Sequence, residues 1–184
     1  MQANRIVTAP PVPQTLNISQ LKHLARAMRL IGQPAPLFHA VHEVAASAIG
    51  LRLITVMSYD AQHEEVERVY TNMPEVYPVG GRKKKQGTPW AKRVLRDLEP
   101  FRAETPQDIR EAFDDHTVMT DMGLGSILNI PIAYNGVCVG TMNLTHEEGW
   151  YAAEHEALGL LVGSFLAPAL VAGATVCAGK AASL

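Results

Sequence analysis

The chain has 184 residues, of which 47% are hydrophobic and 18% are charged. This length suits one ordered domain with a substantial core, and it is too short for a sensor joined to a complete output domain. The formal net charge of −2 and the absence of a helix-turn-helix pattern argue against a nucleic-acid partner. Two cysteines, Cys138 and Cys177, make a disulfide framework improbable and favour a reducing cytoplasm.

The N-terminal third of the sequence predicts a flexible N-terminal segment, called the lead, followed by two helices. Residues 1–16 are rich in proline and lack the apolar centre of a signal peptide, which indicates a flexible lead. Asn17 or Ser19 can cap an amphipathic helix whose apolar residues recur at helical spacing until Gly32. A second helix is predicted over 36–49.

Two β-rich runs, 51–59 and 65–72, predict a hairpin. In strict alternation Arg68, Tyr70 and Asn72 share one face of the second strand, so a cation, a phenol and an amide stand in a row. Such a row can orient a polar ligand. It is equally typical of the wet face of an edge strand.

A basic run lies in the predicted long loop 73–87, just before a helix that Thr88 caps. The free amides of a helix start favour anions, so this run can hold a phosphate or a carboxylate, but a solvated basic loop is the favoured explanation. The run consists of Arg82, Lys83, Lys84 and Lys85. Tyr77 and Trp90 flank it as pocket wall or core anchors, and the core is the favoured place for Trp90.

A second candidate cluster is the pair Asp115 and His116, in a helix predicted from Thr105 toward Met122. A carboxylate and an imidazole can act as acid and base. Neighbouring helical residues diverge by about 100°, however, so the sequence indicates a ligand contact by one of them rather than a catalytic dyad. A surface position at a helix end is the alternative.

The most informative segment is 126–146, where two β-rich runs flank Asn135 and Gly136. This dipeptide predicts a two-residue hairpin turn. Both faces of the hairpin are apolar, which is typical of the middle of a sheet with layers above and below. In the register of a two-residue turn, Asn129 and Asn143 lie on opposite faces, so only one reaches a pocket, and we expect it to be Asn129.

The C-terminal segment 157–179 is uncharged and long enough to test as a membrane span. Pro168 and several glycines favour instead a helix that ends near Val171 and is followed by a small-residue tail, 173–184. We expect no membrane partner. Burial against both the sheet and a partner subunit explains an all-round apolar helix better.

No metal or catalytic site is predicted. His39 and His42 stand three residues apart, but no third or fourth ligand can be named, and no cofactor motif is present. Cys138 lies in a predicted strand and Cys177 in the tail, so the two do not suggest thiol redox chemistry.

The strand Asn129-Ile130-Pro131-Ile132, the turn with Gly136, and the strand 140–144 before a long helix resemble the closing hairpin of a GAF domain. The resemblance extends back to about Leu37. It implies an α+β fold with a central antiparallel sheet of about six strands. Terminal helices would cover one face, and short helices and loops from 73–122 would enclose a small-molecule pocket on the other. Together with the length of the chain, it indicates a single stand-alone GAF-like domain, 17–172, and it also implies a homodimer through the terminal helices.

The sequence departs from three specialised GAF patterns. It lacks the cysteine cluster of the free methionine sulfoxide reductases, the cyclic-nucleotide signature of phosphodiesterases, and an evident bilin-attachment cysteine. The leading hypothesis is therefore a non-catalytic sensor of a small polar or anionic molecule, with an output protein as a further partner. The alternatives are an enzyme that uses His116 or Asp115, and a protein-interaction module with a vestigial pocket.

Overall fold

A computed structural model describes residues 15–114 and 116–173, and its centre is an antiparallel sheet of six strands. The strands follow each other across the sheet in the order β3-β2-β1-β6-β5-β4. They are β1 (Leu53–Asp60), β2 (Glu65–Thr71), β3 (Arg82–Lys84), β4 (Phe101–Ala103), β5 (Ser126–Tyr134) and β6 (Val137–His146). The predicted α+β fold and its six strands are confirmed.

Helices cover both faces of this sheet. They are α1 (Ile18–Ala27), α2 (Ala35–Ala48), α3 (Pro89–Ala91) with a π-helical turn Lys92–Arg96, α4 (Pro106–Ala112), α5 (His116–Asp121), α6 (Glu154–Ser164) and α7 (Ala167–Gly173). The terminal helices α1, α2, α6 and α7 pack with one sheet face in the main core, and the short helices α3 to α5 contribute to two smaller clusters. The predicted two-layer cover of the sheet is therefore confirmed.

The β5-β6 hairpin has the predicted turn, since Asn135 and Gly136 both have positive φ angles, 51° and 75°. Its register slips by one residue between Ile132 and Ala133, which leaves an extra residue on β6. Beyond that bulge Asn129 stands directly opposite Asn143. The prediction that these two lie on opposite faces is wrong, because a one-residue bulge reverses the facing of every later side chain.

A second bulge interrupts strict alternation on β2. Val56 pairs with Tyr70, whereas the next β1 residue, Met57, pairs with Arg68. Arg68 and Tyr70 therefore face opposite sides, and the predicted row of three polar residues does not exist. Tyr70 lies on the helix side, where its hydroxyl is 3.0 Å from His42 Nδ1.

Asn72 follows β2 and has a structural role. Its side-chain carbonyl accepts from the Ile54 amide at 2.9 Å, and its amide group donates to the Arg52 carbonyl at 3.0 Å. These bonds extend the pairing of β1 and β2 past the last strand residue.

The first three residues of the basic run, Arg82 to Lys84, form the edge strand β3 rather than a loop, and Lys85 follows the strand. Arg82 is exposed and makes ion pairs with Glu65 at 3.3 Å and Glu67 at 2.7 Å. Lys83 stands opposite Val66 and projects to the other face. The run therefore divides its charges between the two sides of the sheet.

The helix predicted from Thr105 to about Met122 is broken into α4 and α5. Its start is as predicted, because Thr105 accepts from the Asp108 amide and Pro106 takes the first helical position. Phe113 is extended, with φ −137° and ψ 132°, and its ring packs edge-on against Trp90 and Phe101.

The C-terminal helix is also broken: α6 and α7 meet at 50°. No described helix is by itself long and apolar enough to cross a membrane, and these two reach that length and hydropathy only when taken together. Residues 1–14 of the predicted lead and 174–184 of the predicted tail lie outside the described residues.

Candidate ligand-binding cavity

A cavity lies between the sheet and the short helices, on the face away from the terminal helices. Its volume is about 90 Å³, counted as space open to the centres of water molecules. It is lined by side chains from five strands, from α3 and α5, and from the connecting loops: Leu53, Thr55, Met57, Val66, Arg68, Tyr77, Lys83, Lys85, Trp90, Phe113, Met119, Ile127, Asn129, Thr141, Asn143 and Thr145.

The floor of the cavity is more polar than the middle of a buried sheet requires. Every second residue of β6 contributes a polar side chain there, namely Thr141, Asn143 and Thr145. Thr55 of β1 and Asn129 of β5 stand directly opposite Asn143 on either side. Three neighbouring strands thus carry polar groups at one level of the sheet.

A chain of hydrogen bonds, here called the relay, runs from Trp90 through Asn129 and Asn143 to Thr55. Trp90 belongs to α3, one of the short helices and loops that form the roof of the cavity opposite the sheet. The Trp90 indole Nε1 donates to Asn129 Oδ1 at 2.8 Å, and Asn129 Nδ2 donates to Asn143 Oδ1 at 2.8 Å. Asn143 Nδ2 then donates to Thr55 Oγ1 at 3.2 Å. The relay fixes the position of α3 over the sheet and orients both amides.

Thr141 does not take part in the relay. Its side chain is fully buried and lines the cavity, and Oγ1 has no hydrogen-bond partner among the described residues. A buried hydroxyl without a partner costs about 1–3 kcal/mol, so native proteins rarely retain one without a reason. A ligand or water in the cavity can supply that partner.

Cations occupy one wall. The Arg68 guanidinium lies 5.1 Å from the centre of the Tyr77 ring, and its Nη1 donates to the Pro78 carbonyl at 3.0 Å. Lys83 also lines this wall, and Lys85 Nζ lies 4.9 Å from the centre of the Trp90 ring. The described lining thus includes three cationic side chains.

A surface groove adjoins the cavity. It runs between β3 and α4 and shares four lining residues with the cavity: Lys83, Lys85, Trp90 and Phe113. These four side chains therefore lie between the cavity and the groove. A ligand would enter past two lysines and two aromatic rings.

Five of the predicted site residues are brought together at the cavity: Arg68, Tyr77, Lys83, Trp90 and Asn129. That they bind a ligand stays a prediction. Four others do not line it: Tyr70, Asn72, Arg82 and His116. His116 begins α5, with Nδ1 3.4 Å from Thr117 Oγ1, and Asp115 lies outside the described residues.

Lys85 of the predicted basic run also lines the cavity. The polar and aromatic lining residues that the sequence prediction does not place at the site are Thr55, Phe113, Thr141, Asn143 and Thr145. A signal for the β6 residues exists in the sequence. Thr-x-Asn-x-Thr places three polar side chains on one face of a strand that is otherwise apolar, and buried polar groups in a central strand need partners. Phe113 carries no such local signal.

Cys138 is buried on β6, and its thiol donates to the Gly140 carbonyl at 3.2 Å. Burial raises the pKa of this thiol to about 11. It is protonated at neutral pH, which makes it a poor nucleophile. Cys177 lies outside the described residues.

Known structures share this fold. The GAF domain of a phosphoenolpyruvate-protein phosphotransferase from Coxiella burnetii is 20% identical, with a TM-score of 0.66 over 86% of this chain and 96% of that one. The GAF domain of a two-component sensor histidine kinase from Bacillus halodurans is 15% identical, with a TM-score of 0.59 over 76% and 94%. A comparison with curated protein sequences finds no match.

The sequence itself carries the family pattern. The family model of the GAF domain matches residues 33–170, which include the whole sheet and the cavity. The chain belongs to the GAF domain family.

Proposed function

We propose that this protein is a non-catalytic sensor. It binds a small polar ligand in the cavity, and binding changes the packing of its terminal helices. GAF domains are generally small-molecule-binding regulatory modules of signalling proteins. The observation that carries the proposal is the polar cavity floor, where the buried Thr141 hydroxyl has no partner among the described residues. Buried polar groups of native proteins are nearly always hydrogen-bonded, and a polar ligand in the cavity would supply the partner of this hydroxyl.

The arrangement of the lining supports a sensing role. The sheet supplies the floor, whereas the roof comes from short elements and loops between β2 and β5. A ligand that contacts both would stabilise one position of the roof. A signal requires that the ligand bind one conformation more tightly than the other, because equal affinity shifts no population.

The alternative of an enzyme based on His116 receives less support. That side chain is half-buried at the start of α5 and lies outside the cavity lining. The described lining contains no histidine, carboxylate or thiol, the groups that most often transfer protons or attack substrates.

Arg68 and Arg82 offer a matched test of the ligand site. Arg68 lines the cavity, while Arg82 is exposed and paired with Glu65 and Glu67. We expect isothermal calorimetry against a panel of small metabolites to find a ligand. Arg68→Met should weaken its binding about tenfold or more, and Arg82→Met should leave it unchanged.

The same ligand should stabilise the fold. At a concentration of 100 times Kd, it should raise the free energy of unfolding by about 2.7 kcal/mol. A native mass spectrum of freshly purified protein provides an independent check for a retained ligand. If neither calorimetry nor the mass spectrum revealed any ligand, the sensor proposal would be lost.

We propose that two copies of the chain form a homodimer through their terminal helices, and that ligand binding alters how these helices pack. One face of α6 packs on the sheet, while Leu160 and Leu161 of the same helix are 41% and 47% exposed. Ile18 at the start of α1 is 70% exposed. A second copy of the chain would bury these apolar side chains.

Light scattering after size-exclusion chromatography tests the dimer. We expect the wild type to have twice the mass of one chain and Leu161→Glu to be a monomer, because a charge inside an apolar interface is strongly unfavourable. Val79→Glu is the control, since Val79 is 59% exposed on the loop between β2 and β3. A monomeric wild type would contradict this output mechanism but not ligand binding.

A further inference from the structure

We propose that the cavity is specific for a small oxoanion, a carboxylate or phosphate group, held by the hydroxyls of Thr55 and Thr141, and that Trp90 determines this specificity. The inference rests on the proposed ligand-binding function and names the chemical class of the ligand. It follows from the direction of the hydrogen bonds across the floor.

The direction is set at Trp90, because an indole N–H can donate but cannot accept. The Asn129 atom that faces it at 2.8 Å must therefore be the carbonyl oxygen. The other atom of that amide is then the donor, so the facing atom of Asn143 must be its carbonyl oxygen. One residue in the roof thus fixes the orientation of two amides in the floor.

Thr55 is the last residue of the relay, and the orientation of the amides determines whether its hydroxyl can donate to a ligand. Asn143 presents its amide group to Thr55, whose oxygen accepts at 3.2 Å. The Thr55 hydroxyl donates to no other described residue. Its proton is therefore available on the cavity side, where it can be donated to a ligand atom.

Thr141 supplies a second hydroxyl on the same floor. It is fully buried, it lines the cavity, and Oγ1 has no partner among the described residues. Thr55 stands opposite Asn143, and Thr141 is two residues from Asn143 on β6. Diagonal positions on neighbouring strands are about 7 Å apart, a span that two hydrogen bonds of about 2.7 Å can bridge through one oxoanion.

The remaining groups match the same ligand class. Both amide oxygens of the relay are used within it, so the floor offers few free acceptors to an ammonium group. Arg68 and Lys83 line the adjacent wall and provide positive charge. A charge-assisted hydrogen bond between a hydroxyl and an anion is stronger than one to a neutral acceptor.

The test uses the full chain and three probes: acetate, inorganic phosphate and methylammonium. Binding is followed by two-dimensional NMR titration of the Thr141 and Thr55 amide signals. We expect at least one of the two anions to bind in a saturable way and methylammonium not to bind. The anion that binds more tightly, acetate or phosphate, shows whether the natural ligand carries a carboxylate or a phosphate group.

Two variants test the residues. Thr141→Val removes the unpaired hydroxyl with little change in shape, and Trp90→Phe removes the donor that orients the relay. Each should weaken anion binding about tenfold. Thr71→Val is the matched control, because the Thr71 hydroxyl accepts from the Met73 amide at 3.1 Å and does not line the cavity.

The thermal midpoint of the ligand-free variants checks folding. Thr141→Val should unfold at the wild-type temperature or above, since its hydroxyl makes no described bond. Anion binding by Thr141→Val at wild-type strength would overturn the inference, as would tighter binding of methylammonium than of either anion. In both cases the sensor proposal survives if another ligand binds. If no compound bound at all, both proposals would fail.

Discussion

Gly140→Ala is expected to lower the free energy of unfolding by about 3 kcal/mol or more. Gly140 lies on β6 between β1 and β5, and a Cβ added there would be 2.1 Å from the Met57 carbonyl oxygen and 2.8 Å from Leu170 Cδ1. The first contact is with the backbone of a paired strand, which cannot move without breaking its ladder. The two central strands would therefore have to separate.

Two other glycines serve as controls. A Cβ at Gly163 would meet the end of the flexible Ile132 side chain at 2.8 Å, so Gly163→Ala should cost less. Gly136 is at the hairpin tip, with φ +75° and nothing within 4 Å, so Gly136→Ala should cost about 1 kcal/mol through its backbone alone. Urea unfolding followed by circular dichroism measures all three variants.

The informative result is the rank order of the losses in unfolding free energy, which should be largest for Gly140→Ala. A Gly140→Ala variant within about 1 kcal/mol of the wild type would mean that β1 and β6 do not pack as closely as described. The site depends on the same spacing, because Thr141 directly follows Gly140 and Thr55 lies across the same strand pair. We therefore expect Gly140→Ala to weaken ligand binding as well.

Local chemistry made much of the fold predictable. The turn at Asn135 and Gly136 has the backbone angles that its sequence predicts, and Asn17, Thr88 and Thr105 cap the helices that follow them. In each case the information lies within a few neighbouring residues. The apolar character of both hairpin faces likewise predicted a sheet covered on two sides.

The two bulges were not predictable in the same way. Each inserts one residue, Val139 on β6 and Val69 on β2. Val69 has no glycine or proline beside it, and Gly140, which follows Val139, is a glycine of the kind that can accompany a bulge but does not by itself fix one. Where a strand bulges is decided by packing against both of its neighbours. One residue of slip was enough to bring Asn143 into the cavity and to remove Tyr70 from it.

The roof depends on contacts that are distant in sequence. The break at Phe113 accompanies packing of its ring against Trp90 and Phe101. Lys85 lies near the centres of the Trp90 and Phe113 rings, at 4.9 and 5.8 Å. Helical propensity around residue 113 gives no indication of this aromatic cluster, so the sequence predicts a continuous helix there.

Asn129→Leu is the second substitution for which we expect a large effect, a loss of about 3 kcal/mol in the free energy of unfolding. Asn129 is 4% exposed and bonds to two side chains that are themselves largely enclosed. Leucine would leave the Trp90 N–H and the Asn143 carbonyl without a partner. Each orphaned group costs about 1–3 kcal/mol, and the apolar gain of leucine offsets part of this.

A double-mutant cycle with Trp90→Phe separates the hydrogen bond from packing. Phenylalanine removes the indole donor, so there is no orphaned N–H for Asn129→Leu to create. The cost of Asn129→Leu should then be smaller by about 1 kcal/mol or more in the Trp90→Phe background. Asn17→Ala, at the distant cap of α1, should show no such coupling with Asn129→Leu.

The cycle also bears on why the relay is built from an indole and two amides. If its only role were to hold α3 on the sheet, apolar residues of similar shape would do so without orphaned groups. Strong coupling between Trp90 and Asn129 would mean that the direction of the relay is energetically enforced, because reversal would place two donors against each other. If the losses in unfolding free energy of Trp90→Phe and Asn129→Leu were simply additive, the amides would be free to reorient. The cavity floor would then have no fixed preference for ligands that accept hydrogen bonds.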